Sequence, residues 1–113
     1  MLPTAQEIKR VAVLHSYGVL DTPPEPEFDR LTQLLAHICQ TPIALISLVG
    51  SDRQWFKSVH GINLTSIDRA MSICSHAIEQ QALCVIEDTL VDGRCSANPL
   101  VHGEPYLRFY AGM

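Results

Sequence analysis

Positive charge is scarce in this sequence. Eight Lys and Arg stand against twelve Asp and Glu, for a net charge of −4, and they are scattered. That leaves no basic footprint for nucleic acid and no polybasic segment for an anionic membrane surface. Long hydrophobic runs are missing too, and the longest falls far short of the ~18 residues of a membrane span. The opening stretch, MLPTAQEIKRVAVL, lacks the basic start, apolar stretch and cleavage site of a secretory signal, so the expected location is the cytoplasm. Four cysteines occur, Cys39, Cys74, Cys84 and Cys95, but none has CxxC spacing. Reduced, mostly buried thiols are expected rather than a disulfide framework.

What is present is apolar. Hydrophobic residues make up 47% of the 113 and charged residues 18%, with a mean hydropathy of +0.12. Such a chain is long enough for one core and too apolar for disorder. It also carries enough apolar residues to leave some surface for a partner.

The order of elements reads as two helices followed by strands. Residues 5–17 predict a helix with Ile8, Val11, Ala12 and Leu14 on one stripe, stopped by Gly18. That stripe either faces a core or pairs with a second copy of the chain. DTPPEPE forces an extended turn, because a residue before proline leaves the helical region. From Pro26, the spacing of Phe28, Leu31, Leu34, Leu35 and Ile38 predicts an amphipathic helix. IALISLV, residues 43–49, reads as a central strand buried on both faces. RQWFKSV reads as a half-buried strand closing a hairpin, with Trp55, Lys57 and Val59 alternating against Gln54, Phe56 and Ser58. Residues 60–70 read as a loop, 71–80 as a short helix, Leu83–Ile86 as a strand, 98–102 as a helix started by Asn98-Pro99, and Tyr106–Met113 as a strand. The order predicts an α+β fold with an antiparallel sheet in a single domain, residues 1–113. Its last strand has no turn or cap after it. An absent further strand would remove about three inward side chains at roughly 1.5–3 kcal/mol each, comparable to the ~5–15 kcal/mol of a typical domain.

HSYGVLDTPPEPEFDRLTQLLAHI, PIALISLVGSDRQWFKSVHGI, SICSHAI, VIEDTLVDGRCSANPLV and RFYAGM, in that order, resemble the GAF domain family. The likeness is to GAF modules at the front of bacterial sensor histidine kinases and diguanylate cyclases, and it covers residues 9–113. It implies an antiparallel sheet with helices on one face and a ligand pocket on the other, roofed by residues 60–80 and 88–105. It also implies that the last central strands of the family fold are missing. Cys95 and Gly93 stand where relatives commonly carry an aromatic residue and a proline. The cyclic-nucleotide signature of the family is absent, as is the adjacent Cys-His pair that holds a bilin, since Ser75 separates Cys74 from His76.

Cys74 and His76 are the candidate reactive pair. On a helix, residues two apart lie about 200° apart and Cys74 and His76 could not share an ion, whereas on a strand they could; no second close Cys or His pair completes a metal site. The same geometry argues against a thiol–base pair. Free methionine sulfoxide reductases are GAF enzymes that use pocket cysteines, but their flanking glycines and later His-x-Ala-Cys stretch are missing. The expectation is therefore not an enzyme, with no catalytic residues and no metal. Trp55, Phe56, Cys74, His76, Asp88 and Phe109 are the expected pocket lining, around an unidentified small molecule. Five of them also have a plainer role: core packing for Trp55, Phe56 and Cys74, backbone bonding for His76, and capping of the next turn for Asp88. Asp92 and Arg94 are expected to order their loop as a pair. The expected function is a sensory, ligand-binding module of a bacterial signalling protein, with a homodimer or a covalently attached effector as partner and neither nucleic-acid binding nor membrane insertion. The alternatives are a degenerate interaction module without a ligand and a methionine sulfoxide reductase-like enzyme. The sequence leaves any cofactor unidentified.

Overall fold

The computed structural model describes residues 4–80 and 82–113. Among these the chain is α+β, and it divides into two compact units, one through Ile67 and one from Asp68 to Met113.

In the first unit, helix α1 spans Ala5–Ser16. Thr4 caps it by accepting from the Glu7 amide at 3.1 Å. Arg10 pairs with Glu7 one turn away and donates to the Val49 carbonyl at 2.6 Å, which ties the helix to the strand that follows. Gly18 adopts φ 61°, the left-handed stop expected of it. Helix α2 spans Pro26–Cys39, with proline in its first turn and Gln40 left-handed at its end. Strands β1, Ala44–Val49, and β2, Arg53–His60, pair antiparallel, and β3, Ser66–Asp68, lies on the far side of β2.

Three expectations are corrected here. β1 is not a central strand: β2 is its only partner among the described residues, and the side chains of Leu45 to Leu48 are only half-buried. β2 does not alternate. Its register against β1 jumps from Ile46↔Ser58 to Ser47↔Phe56, so Lys57 is an extra, bulged residue. The bulge breaks the alternation at that point, and β2, between β1 and β3, has residues Gln54 to Ser58 buried in succession. The third correction concerns α2. Its buried residues are Thr32 and Ala36, whereas Leu31, Leu34, Leu35 and Ile38 are 47–68% exposed. Polar bonding decides that orientation. Ser58 donates to Asp29 at 2.7 Å and lies 2.9 Å from the Thr32 hydroxyl, so the small, polar face of the helix is held on β2.

In the second unit, a 3-10 turn at Arg69–Met71 leads to the one-turn helix α3, Cys74–Ala77. Strand β4, Cys84–Ile86, pairs antiparallel with β5, Tyr110–Gly112, and α4, Pro99–His102, lies between them in sequence. Asn98 caps α4 by accepting from the Leu100 amide, while its own amide reaches the Met71 carbonyl at 2.8 Å. Ile73, Ile86, Cys95 and Val101 form the core, with Leu107 and Tyr110 packed on it. Thr89, fully buried, donates its hydroxyl to the Leu107 carbonyl at 2.6 Å. Residues 106–109 are irregular, so the final strand is shorter than its apolar sequence predicts.

Candidate functional site

The six expected lining residues divide between the units. Trp55 and Phe56 sit on β2, and Cys74, His76, Asp88 and Phe109 belong to the second unit.

In the first unit, an open cleft of about 310 Å³ is lined by Arg53, Trp55, Phe56 and Lys57 of β2 and by Asp21, Thr22 and Pro24. Thr65 and Ser66 lie at its β3 edge. The DTPPE segment is thus a wall of the site, a role that its sequence, read only as a turn, did not reveal. Lys57 holds this wall in place. Its Nζ is buried, donates to Thr22 Oγ1 at 2.7 Å and to the Pro23 carbonyl at 2.8 Å, and pairs with Glu25 at 2.7 Å. The same ammonium lies 5.7 Å from the Phe28 ring centre and 5.9 Å from that of Trp55, within cation–π range.

Asp21 and Arg53 form a forked ion pair at 2.5 and 2.8 Å. Hydrogen bonding from Arg53 holds the Asp21 carboxyl below its usual range, and Asp21 in turn raises the guanidinium. Both side chains are more than a third exposed, so the pair contributes little to stability and is open to exchange. It also stands between the cleft and a neighbour of similar volume lined by Leu14, Gly18, Val19 and Leu20, since both clefts include Asp21 and Arg53. What this arrangement can do is accept, beside the largely buried Trp55 and Phe56, an acidic group that competes with Asp21 for Arg53.

In the second unit, Cys74 is half-buried at the start of α3, and its sulfur accepts from the Tyr110 hydroxyl at 3.1 Å. Burial, and then the adjacent Cys74 sulfur, push the Tyr110 phenol well above its ordinary value. His76 lies on the same helical turn, two residues on, where it cannot meet Cys74 across one face. Asp88 is exposed and accepts from the Leu90 amide at 3.0 Å, which is the capping role. Phe109 is 53% exposed. Asp92 accepts from the Arg94 side chain at 2.8 and 3.0 Å and from its amide at 2.9 Å. Those bonds hold the Asp92 carboxyl down to about 2. The pair orders its loop as expected. Among the described residues no group of three or more His, Cys, Asp or Glu is placed to hold a metal ion, and no helix is long and apolar enough to cross a membrane.

No family model matches the chain. Against curated proteins it is similar to a cyclic di-GMP phosphodiesterase of Pseudomonas aeruginosa, 36% identical over 106 residues. The match takes in 94% of this chain and spans only 18% of the relative's length. This overturns the expectation of no enzyme, because the protein it resembles is itself named as one. That expectation weighed only the reacting groups within 113 residues, and the named activity belongs to a much longer polypeptide.

Proposed function

We propose that the chain is a GAF-type ligand-sensing segment of a larger cyclic di-GMP signalling enzyme. The five ordered motifs support the GAF reading, and the likeness to a phosphodiesterase supports the setting. The observation that carries the sensing role is the first-unit cleft. Its wall, residues 21–25, runs directly into α2. A ligand with an anionic group would enter the cleft and draw Arg53 away from Asp21. Displacing Asp21 shifts the segment that Lys57 anchors, and with it the first turn of α2. The ligand acts on a distant site only as far as it binds one arrangement more tightly than the other.

The test is a thermal-shift and Trp55 emission screen with nucleotides, amino acids and small aromatic acids. An anionic ligand class should raise the melting temperature and change the emission of this single tryptophan. Arg53→Ala should abolish both effects without unfolding an exposed site. Silence across the whole panel, or full binding by Arg53→Ala, would reject the reading.

A second reading, association between copies of the chain, is favoured by one observation. Leu31, Leu34, Leu35 and Ile38 repeat at spacings of three and four on α2 and are left half-exposed or more.

A further inference from the structure

Cys74 and Cys84 are ten residues apart in sequence, yet the second unit brings them together around two side chains. The first is Tyr110. In the β4–β5 ladder, Ile86 pairs with Tyr110 and Cys84 with Gly112. Directly opposed residues share a face, so the Tyr110 ring lies on the face that carries the buried Cys84. A Cβ added at Gly112 would strike the Tyr110 hydroxyl, so the ring is folded back over Gly112, beside Cys84. The same hydroxyl donates to the Cys74 sulfur at 3.1 Å. One phenol is therefore flanked by two thiols. The second side chain is Arg94, whose guanidinium lies 3.6 Å from the Cys84 sulfur and is itself held by Asp92.

We propose that Cys74 and Cys84 form a thiol pair that a peroxide oxidises to a disulfide. Access sets the order. Cys74 is half-buried and meets the oxidant first, whereas Cys84 is 1% exposed. The Cys74 sulfur attacks one peroxide oxygen and the O–O bond breaks. The thiol proton leaves with the departing oxygen, as water or an alcohol, and a sulfenic acid remains on Cys74. The Cys84 sulfur then attacks the sulfenic sulfur. The S–S bond forms, the S–O bond breaks, and the hydroxyl leaves as water with the Cys84 proton. The two thiols lose two electrons and the peroxide gains them. The Arg94 guanidinium, 3.6 Å from the Cys84 sulfur, offsets the negative charge that this sulfur carries before it attacks. The Tyr110 ring must turn off Gly112 for the sulfurs to meet, which makes Tyr110 a positioning residue. Cys95 is excluded from the pair. It is packed among Ile73, Ile86 and Val101 and turns its thiol to the Thr89 carbonyl at 3.7 Å. The pair stands independently of the ligand cleft.

The test uses the unaltered, reduced chain. It is treated with hydrogen peroxide, its remaining thiols are alkylated, and intact mass and linked peptides are measured. The expected result is loss of two hydrogens and a peptide joining Cys74 to Cys84. Cys84→Ser should leave a sulfenic acid on Cys74 that dimedone traps, and Cys39→Ser should behave as the parent. A disulfide to Cys95, linkage only through the exposed Cys39, or no disulfide at all would overturn the proposal. The mapping is done on the parent chain, so a variant that fails to fold does not remove the test.

Discussion

Replacing Lys57 by methionine tests whether this buried ammonium holds the wall of the cleft. The substitution deletes a contact to Glu25 and hydrogen bonds to Thr22 and Pro23. Hydrogen bonds to charged groups contribute about 1.5–3 kcal/mol each. Against that, the ammonium no longer has to be stripped of water, a relief of several kcal/mol. Removing one partner of a buried pair usually costs about 3–5 kcal/mol, because the other charge is stranded. Here it is not stranded, since the Glu25 side chain is 51% exposed and regains water. Methionine also keeps an apolar stem against Phe28 and Trp55. The net expectation is a loss of ~1–2 kcal/mol. Lys57→Ala also gives up about three buried methylenes at ~0.8 kcal/mol each and should lose ~3–4 kcal/mol. Urea unfolding followed by Trp55 emission measures both, with limited proteolysis of residues 21–25 as the local readout. If Lys57→Met is as stable as the parent and the segment is no more readily cut, the anchoring argument is wrong.

Three further outcomes follow from other parts of the structure. The folded-state pKa of Asp92 lies near 2, below its ordinary 3.8, so the stability it contributes is fully present above about pH 3.8 and is lost as pH falls to about 2; acid titrations of the parent and Asp92→Asn should differ at neutral pH and converge at the acid end. Gly112→Ala forces the Tyr110 hydroxyl away from Cys74, at a cost of roughly 1–3 kcal/mol in denaturant unfolding. Leu35→Lys with Ile38→Lys alters exposed positions and should change stability by no more than about 0.5 kcal/mol each; sedimentation should show weaker self-association than in the parent, and an unchanged distribution would remove α2 as the contact between copies.

Local signals carried much of the fold. Proline at the start of α2, Gly18 after α1 and the Asn98-Pro99 cap all mark boundaries found in the structure, because each acts within one turn of chain. Register and helix orientation were not legible. The bulge at Lys57 depends on how β1 meets β2, and no period within β2 alone encodes it. Nor does the apolar stripe of α2 reveal that Thr32 and Asp29 would be drawn to Ser58, so the reading by hydrophobicity turned the helix the wrong way. In the site, Trp55 and Phe56 were visible as aromatic neighbours on a strand. Asp21, Thr22 and Pro24 were not, because their place in the cleft comes from Lys57, more than thirty residues away in sequence. The gathering of the thiols around Tyr110 and Arg94 was hidden for the same reason: cross-strand pairing created it, and the spacing of the cysteines did not.

Asp21 sits at φ 62° without being glycine. Asparagine and glycine tolerate that backbone as well or better, while branched residues do not. The position can therefore exchange its negative charge for a neutral amide or for nothing, with the chain path unchanged. Each exchange would leave the Arg53 guanidinium without its resident counter-ion. A lineage carrying this scaffold could retune which ions it welcomes by altering one residue, at almost no architectural expense.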